Sequence, residues 1–246
     1  MIGIIGGTGL ENSELFNNPK QIKLTTKYGE PSSEILTGEM FGHKIALISR
    51  HGRQHTITPT NVNNRANIVA LKDLGCDMIL ATTACGSLRE DIKPGDFVLA
   101  DQFIDFTKHR VFSFHDSFEP EQMQHCQMAE PYSKELREKI KIAAQKSNIT
   151  LHNAGTIITI EGPRFSTKAE SNMFRMWGAD MINMSTATET ILANEMGIPY
   201  AVIAISTDYD CWKEDEEPVS IEIVLGNFKK SVESLIKLIA DTIQLI

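Results

Sequence analysis

Arg50-His51-Gly52-Arg53-Gln54-His55 packs two arginines and two histidines into six residues of a chain whose formal charge is −8 at pH 7. A guanidinium is a planar fork that matches the oxygens of phosphate, and histidine can hydrogen-bond the same anion. The cluster reads as an anion site, with a solvated charge run as the plainer alternative. Its histidines have no carboxylate at a metal-ligand spacing, so no metal is expected. Thr207-Asp208-Tyr209-Asp210-Cys211-Trp212 sets two carboxylates two residues apart. Neighbouring acids raise each other's pKa and can keep a proton for donation; acids in a surface turn are the alternative. Gly6-Gly7-Thr8-Gly9 follows an apolar run. Its glycine order departs from the dinucleotide-binding pattern, and the polar stretch 11–27 after it is no clean helix. Such a turn can instead offer N–H groups and a hydroxyl to one phosphate.

Three further clusters are less specific. Thr82-Thr83-Ala84-Cys85-Gly86-Ser87 is made of small residues. They let backbone N–H groups approach a ligand, or simply close a tight turn. Glu161-Gly162-Pro163-Arg164-Phe165-Ser166 reads as a stiff turn before a helix. Phe165 can lie on a planar ring or fill the core. Ile221, Val224 and Leu225 share one helix face at i, i+3, i+4 spacing, and core packing is the default reading of such a stripe.

The elements that must position these clusters alternate. Apolar runs predict strands at 2–5, 44–49, 77–83, 97–103, 155–161, 180–184 and 200–207. Helical patterns cover 61–74, 133–147 with Ser133 as N-cap, 167–177, 188–196 and 220–246, the last loosened at Gly226. Alternation of this kind implies an α/β protein with a largely parallel sheet, whose ligands bind beyond the carboxyl ends of its strands. No repeat, linker or composition shift divides residues 1–246, so one domain is expected.

Composition narrows the classes. A chain of 246 residues can bury about 70% of its unfolded surface, ample for a core. The 24 basic against 32 acidic residues argue against nucleic-acid and anionic-membrane binding, though not against a small anion held by local donors. Cys76, Cys85, Cys126 and Cys211 fit no zinc spacing and read as thiols of a reducing compartment. No apolar run is long enough to span a membrane, and the N-terminus lacks signal-peptide features, so a cytoplasmic location is expected.

Taken together and in order, the clusters above, with Met128-Ala129-Glu130-Pro131 and Gly178-Ala179-Asp180-Met181-Ile182-Asn183-Met184, resemble the trimeric purine nucleoside phosphorylase family, in its 5′-methylthioadenosine phosphorylase branch. The resemblance runs from residue 2 to about 230. It implies a single α/β domain whose mixed, twisted sheet, flanked by helices, curls toward a barrel. It implies pentosyl transfer in purine and methionine salvage: 5′-methylthioadenosine and phosphate give adenine and 5-methylthioribose 1-phosphate, with no cofactor or metal. A homotrimer with sites near its interfaces is implied.

Residue by residue, the resemblance gives phosphate to Thr8, Arg50, His51, Thr83, the Ala84 N–H and Ser185, where relatives often carry Thr. Met184 packs on the ribose. Phe165, Ser166, Asp208, Tyr209 and Asp210 surround the base, with Asp208 as the acid that protonates N7. His125 reaches across an interface, and Ile221, Val224 and Leu225 line the methylthio pocket. Ser166, Asp208 and Ile221 set specificity. The 6-oxopurine branch has Glu and Asn at positions 166 and 208, so Ser and Asp favour 6-aminopurines. The alternatives are a phosphorylase of methylthioinosine or 6-oxopurine nucleosides, a silent nucleoside-binding protein, and an NAD-dependent oxidoreductase resting on the glycine turn. Relatives often continue past the position of Ile246, which implies a more open 5′ pocket here.

Overall fold

A computed structural model describes residues 1–6, 10, 16–216 and 219–246. Gly7, Thr8 and Gly9 lie outside the described residues, and with them the expected phosphate contact of Thr8. The strands are β1 (Ile2–Gly6), β2 (Asn17–Ile22), β3 (Ile35–Met40), β4 (His43–Ser49), β5 (Met78–Ser87), β6 (Phe97–Leu99), β7 (Gln102–Phe106), β8 (Leu151–His152), β9 (Thr156–Ile160), β10 (Met181–Asn183) and β11 (Tyr200–Asp208). The helices are α1 (Asn64–Asp73), α2 (Lys134–Ser147), α3 (Lys168–Met176), α4 (Thr186–Glu195) and α5 (Ile221–Ile243).

β1 and β11 are buried along their whole length, as strands covered on both faces must be, and their apolar runs 2–5 and 200–205 reflect it. β5 is the hub: β1 and β11 run parallel to it, and β10 pairs antiparallel with its far end. From there the sheet runs through β9 to β7 on one side and through β4 and β3 to β2 on the other. The hairpin β3–β4 and the pairs β2–β3, β5–β10 and β6–β11 are antiparallel, so the sheet is mixed rather than largely parallel. Among the described residues it does not close into a barrel.

Two boundaries differ from the sequence expectation in ways that matter for function. β5 does not end at Thr83 but continues to Ser87, because β11 and β10 clasp both its edges. Thr82–Gly86 is thus strand, not a terminal loop. The run 97–103 splits into β6 and β7, because the chain changes partner from β11 to β9. α5 runs unbroken through Gly226, where a side chain would meet nothing.

The helices start where capping chemistry dictates. The Ser133 hydroxyl accepts the Leu136 N–H, and Thr167 and Glu170 form a reciprocal capping box. α4 is the exception: Ser185 precedes it but its side chain caps nothing, which frees the hydroxyl.

Candidate active site

Arg50 follows β4 directly, and its backbone N–H donates to Gly6 O at 2.9 Å, which ties the ends of β1 and β4 together. Its side chain, 3% exposed, lies on a cavity of about 380 Å³. His51, Thr83, Ala84, Met184 and Ser185 line the same cavity. Thr83 Oγ1 lies 3.3 Å from Ser185 Oγ and accepts from Asn183 Nδ2 at 3.2 Å, so β5 meets the start of α4 at this point. A helix N-terminus carries partial positive charge and free N–H groups, which favour an anion. Fork, hydroxyls and helix start therefore converge at one end of the cavity.

Asp208 and Asp210 stand on the cavity wall as well. The register of β11 against β5 slips between Ser206 and Asp208, setting Asp208 opposite Gly86. Bulges of this kind re-aim a side chain. The Asp208 carboxyl is then fixed by two donors: the Thr207 hydroxyl to Oδ2 and the Asp210 N–H to Oδ1, each at 2.8 Å. Asp210 takes a left-handed φ of 50°, which Asp tolerates. Its oxygens accept from the Ser166 hydroxyl at 2.8 and 2.7 Å. Burial pushes the Asp208 carboxyl above its ordinary value; its two donors oppose this and the Asp210 charge adds to it. Burial raises Asp210 too, with Ser166 opposing. Two acids biased toward holding a proton thus face the same space as the anion cluster.

The sequence pattern of the phosphorylase superfamily matches residues 1–244. The chain belongs to this superfamily. Among its relatives, an S-methyl-5′-thioadenosine phosphorylase from Danio rerio is 52% identical, over 94% of this chain and 83% of the relative. One of the same name from Ciona intestinalis is 48% identical over 100% and 88%. In structure, methylthioadenosine phosphorylase from Schistosoma mansoni in complex with adenine superposes with a TM-score of 0.93 at 40% identity, covering 99% of this chain and 91% of that one. A mutant of the Schistosoma enzyme in complex with methylthioadenosine gives a TM-score of 0.92 at 40% identity, covering 99% and 90%.

Most of the expected residues of this phosphorylase come together. Phe165, Ser166, Ile221, Val224 and Leu225 all line the cavity. The α5 stripe is not core: Ile221 is 50% and Leu225 44% exposed at the cavity rim, while Phe228, one turn on, is buried. Tyr209 is not on the cavity wall. Its two neighbours point inward, so it points away, with its ring under Lys213 and its hydroxyl 3.5 Å from Glu90 O. His125 is exposed beside Phe118 and does not line the cavity of its own chain.

The structure adds residues that sequence reading passed over. Glu189 on α4 is fully buried and takes the Arg50 side edge, accepting from Nε and, at 2.9 Å, from Nη2. The Tyr200 hydroxyl donates to the same carboxylate at 2.6 Å, and Arg50 Nη1 donates to Thr82 O at 2.9 Å. Burial works against the Arg50 charge, but Glu189 outweighs it and holds the guanidinium above its ordinary value. The signal in the sequence was a lone carboxylate in the otherwise uncharged run Thr186–Asn194. A second network ties loops beside the cavity. Arg110 donates to Glu161 Oε1 at 2.8 Å and to Met184 O at 2.9 Å, while Thr60, Lys108 and His109 also donate to Glu161.

Proposed function

We propose that the protein catalyses the phosphorolysis of 5′-methylthioadenosine, giving adenine and 5-methylthioribose 1-phosphate. The observation that carries this reading is one cavity lined by an anion cluster (Arg50, His51, Thr83, Ser185), an acid pair (Asp208, Asp210) and an apolar rim (Ile221, Val224, Leu225). Each part matches one part of the substrates: phosphate, purine and methylthio tail. The relatives named above support the same choice.

The chemistry follows from the placement. As the glycosidic C–N bond lengthens, the ribose becomes cationic and the purine gathers negative charge. Asp208, biased toward its protonated form, donates to N7 and neutralises the leaving base. Phosphate at the anion end stabilises the cation and then bonds to the anomeric carbon. No cofactor or metal is needed for these steps. Ser166 keeps Asp210 oriented, and an acceptor carboxylate there suits a 6-amino group.

We also infer a homotrimer in the cytoplasm. Val111, Phe112, Phe118 and Met123 stand exposed on the segment that carries His125, an apolar surface that a neighbouring copy would cover. Four free thiols suit a reducing compartment. The deciding experiment is adenine release from methylthioadenosine with and without phosphate, against methylthioinosine and inosine. Phosphate-dependent release that favours methylthioadenosine is expected. Phosphate-independent release, or preference for a 6-oxopurine, would refute the reading.

A further inference from the structure

The anion end of the cavity contains an acceptor where a donor would be expected. His51 Nδ1 lies 2.9 Å from Ile57 O. A carbonyl oxygen only accepts, so Nδ1 carries the ring's hydrogen and donates. Burial, and next the charge of Arg50, pull the ring's value down to about 4. The Ile57 carbonyl opposes them. His55, whose ring lies tilted with its centroid 4.6 Å away, and Arg110 act in the same direction as Arg50. Asp208 and Asp210 line the same cavity as the ring. The ring is therefore neutral near neutrality, and Nε2 holds a bare lone pair.

Arg50 is paired with Glu189, though its charge still reaches the His51 ring. Among the described residues, three of its five N–H groups are spent on Glu189 and Thr82 O, which leaves one donor on each terminal nitrogen. Among the described residues, an oxyanion here meets two directed donors, the Ser185 hydroxyl, the Thr83 hydroxyl (3.2 Å from Ala84 O) and one lone pair. An oxyanion bearing a hydroxyl satisfies that lone pair with its own hydrogen. A fully deprotonated dianion sets oxygen lone pairs against it.

We propose that His51 Nε2 is a proton acceptor that makes the site select a protonated oxyanion, hydrogen phosphate or hydrogen arsenate, over sulfate. This rests on the reading of this end as the phosphate site. The proton balance is closed. Hydrogen phosphate brings one proton, its oxygen forms the C–O bond as the C–N bond breaks, and the departing base receives one proton from Asp208. The proton left by the new ester passes to His51 and then to solvent, while solvent returns one to Asp208.

Calorimetric titration with inorganic phosphate and with sulfate, in two buffers of different ionisation enthalpy, counts the protons. Above its second ionisation, phosphate is expected to bind with no net proton uptake and with nearly constant affinity. Sulfate must draw a proton from solvent onto His51, so it takes up one proton and weakens about tenfold per unit rise in pH. His51→Gln, whose amide can donate, should abolish that slope and bring the two affinities together. Nitrogen NMR of the wild-type ring gives a readout that needs no variant: imidazolium with sulfate, neutral with phosphate. Sulfate binding as tight as phosphate with no proton uptake, a slope unchanged in His51→Gln, or a ring neutral under sulfate would each overturn the proposal. Selective phosphate binding without adenine release would sink the proposed reaction alone. Adenine release with unselective anion binding would sink this inference alone.

Discussion

Glu189→Gln isolates what holds the anion fork in place. The substitution preserves volume and one acceptor oxygen, but it replaces the carboxylate that takes two Arg50 donors and the Tyr200 hydroxyl. Arg50 is left 3% exposed without a counter-charge. Removing one partner of a buried ion pair costs about 3–5 kcal/mol. For a chain of this size that lowers Tm by roughly 6–20 °C at fixed protein concentration. Tyr200→Phe removes one charge-assisted hydrogen bond and leaves the pair, so a smaller loss of about 1.5–3 kcal/mol is expected. The diagnostic result is the effect of phosphate. A buried guanidinium lacking its carboxylate gains most from an anion, so saturating phosphate should recover more of the Glu189→Gln loss than it adds to wild type. Thermal melts with and without phosphate measure this. A variant within about 2 °C of wild type, or equal phosphate shifts in both proteins, would refute the argument.

Other substitutions probe the acid pair and the loop network. Asp208→Ala should lower kcat for methylthioadenosine by about 10²–10⁴ with little change in Tm; a wild-type rate would remove Asp208 from the chemistry. Asp208→Asn should shift the methylthioadenosine to methylthioinosine ratio toward the 6-oxopurine; an unchanged ratio would place base choice elsewhere. Gly86→Ala would put a methyl 2.9 Å from Asp208 Oδ1 and 3.1 Å from Ile182. A displaced acid predicts a kcat loss of about 10- to 100-fold, read against circular dichroism that reports an intact fold. Glu161 tests acid stability. Burial pushes its carboxyl up, but the Lys108 and His109 N–H groups, the Thr60 hydroxyl and Arg110 outweigh this and hold it at about 2, below its ordinary 4.5. A depressed carboxylate stabilises fully above pH 4.5 and loses that contribution as pH falls toward 2. The stability gap between wild type and Glu161→Gln, measured by urea unfolding, should be constant near neutrality and narrow below pH 4.5.

The central strands were legible because they are buried on both faces: Ile2–Gly6 and Tyr200–Asp208 have no solvent side to break their apolar runs. β2 was not legible for the converse reason. Asn17–Ile22 is a largely exposed edge strand of mostly polar residues, held to β3 by backbone pairing and the Thr37 hydroxyl on Lys20 O, so its own side chains carry no period. The break between β6 and β7 was hidden because a change of partner strand does not interrupt an apolar pattern. Arg50, His51, Asp208 and Asp210 were found because charged types at strand ends stand out. Glu189 was missed because its justification is Arg50, 139 residues away, and separation in sequence conceals a pair that packing brings together.

That pair also alters the meaning of the chain's charge. A formal charge of −8 set against the basic run 50–55 suggests that local positive charge draws the anion. The structure leaves little of it free on the cavity wall: Arg50 is paired with Glu189, burial and Arg50 hold His51 toward its neutral form, and Arg53 is exposed and does not line the cavity. What remains among the described residues is direction: one further donor on each Arg50 terminal nitrogen, the hydroxyls of Thr83 and Ser185, the start of α4 and the lone pair on His51. A site built from charge attracts any anion and weakens with salt. A site built from directed donors and one acceptor discriminates by shape and protonation, and added salt screens it little. Phosphate KM should therefore change less than about threefold when potassium chloride is raised from low to physiological ionic strength. A steep rise would mean that unpaired charge, and not geometry, holds the anion.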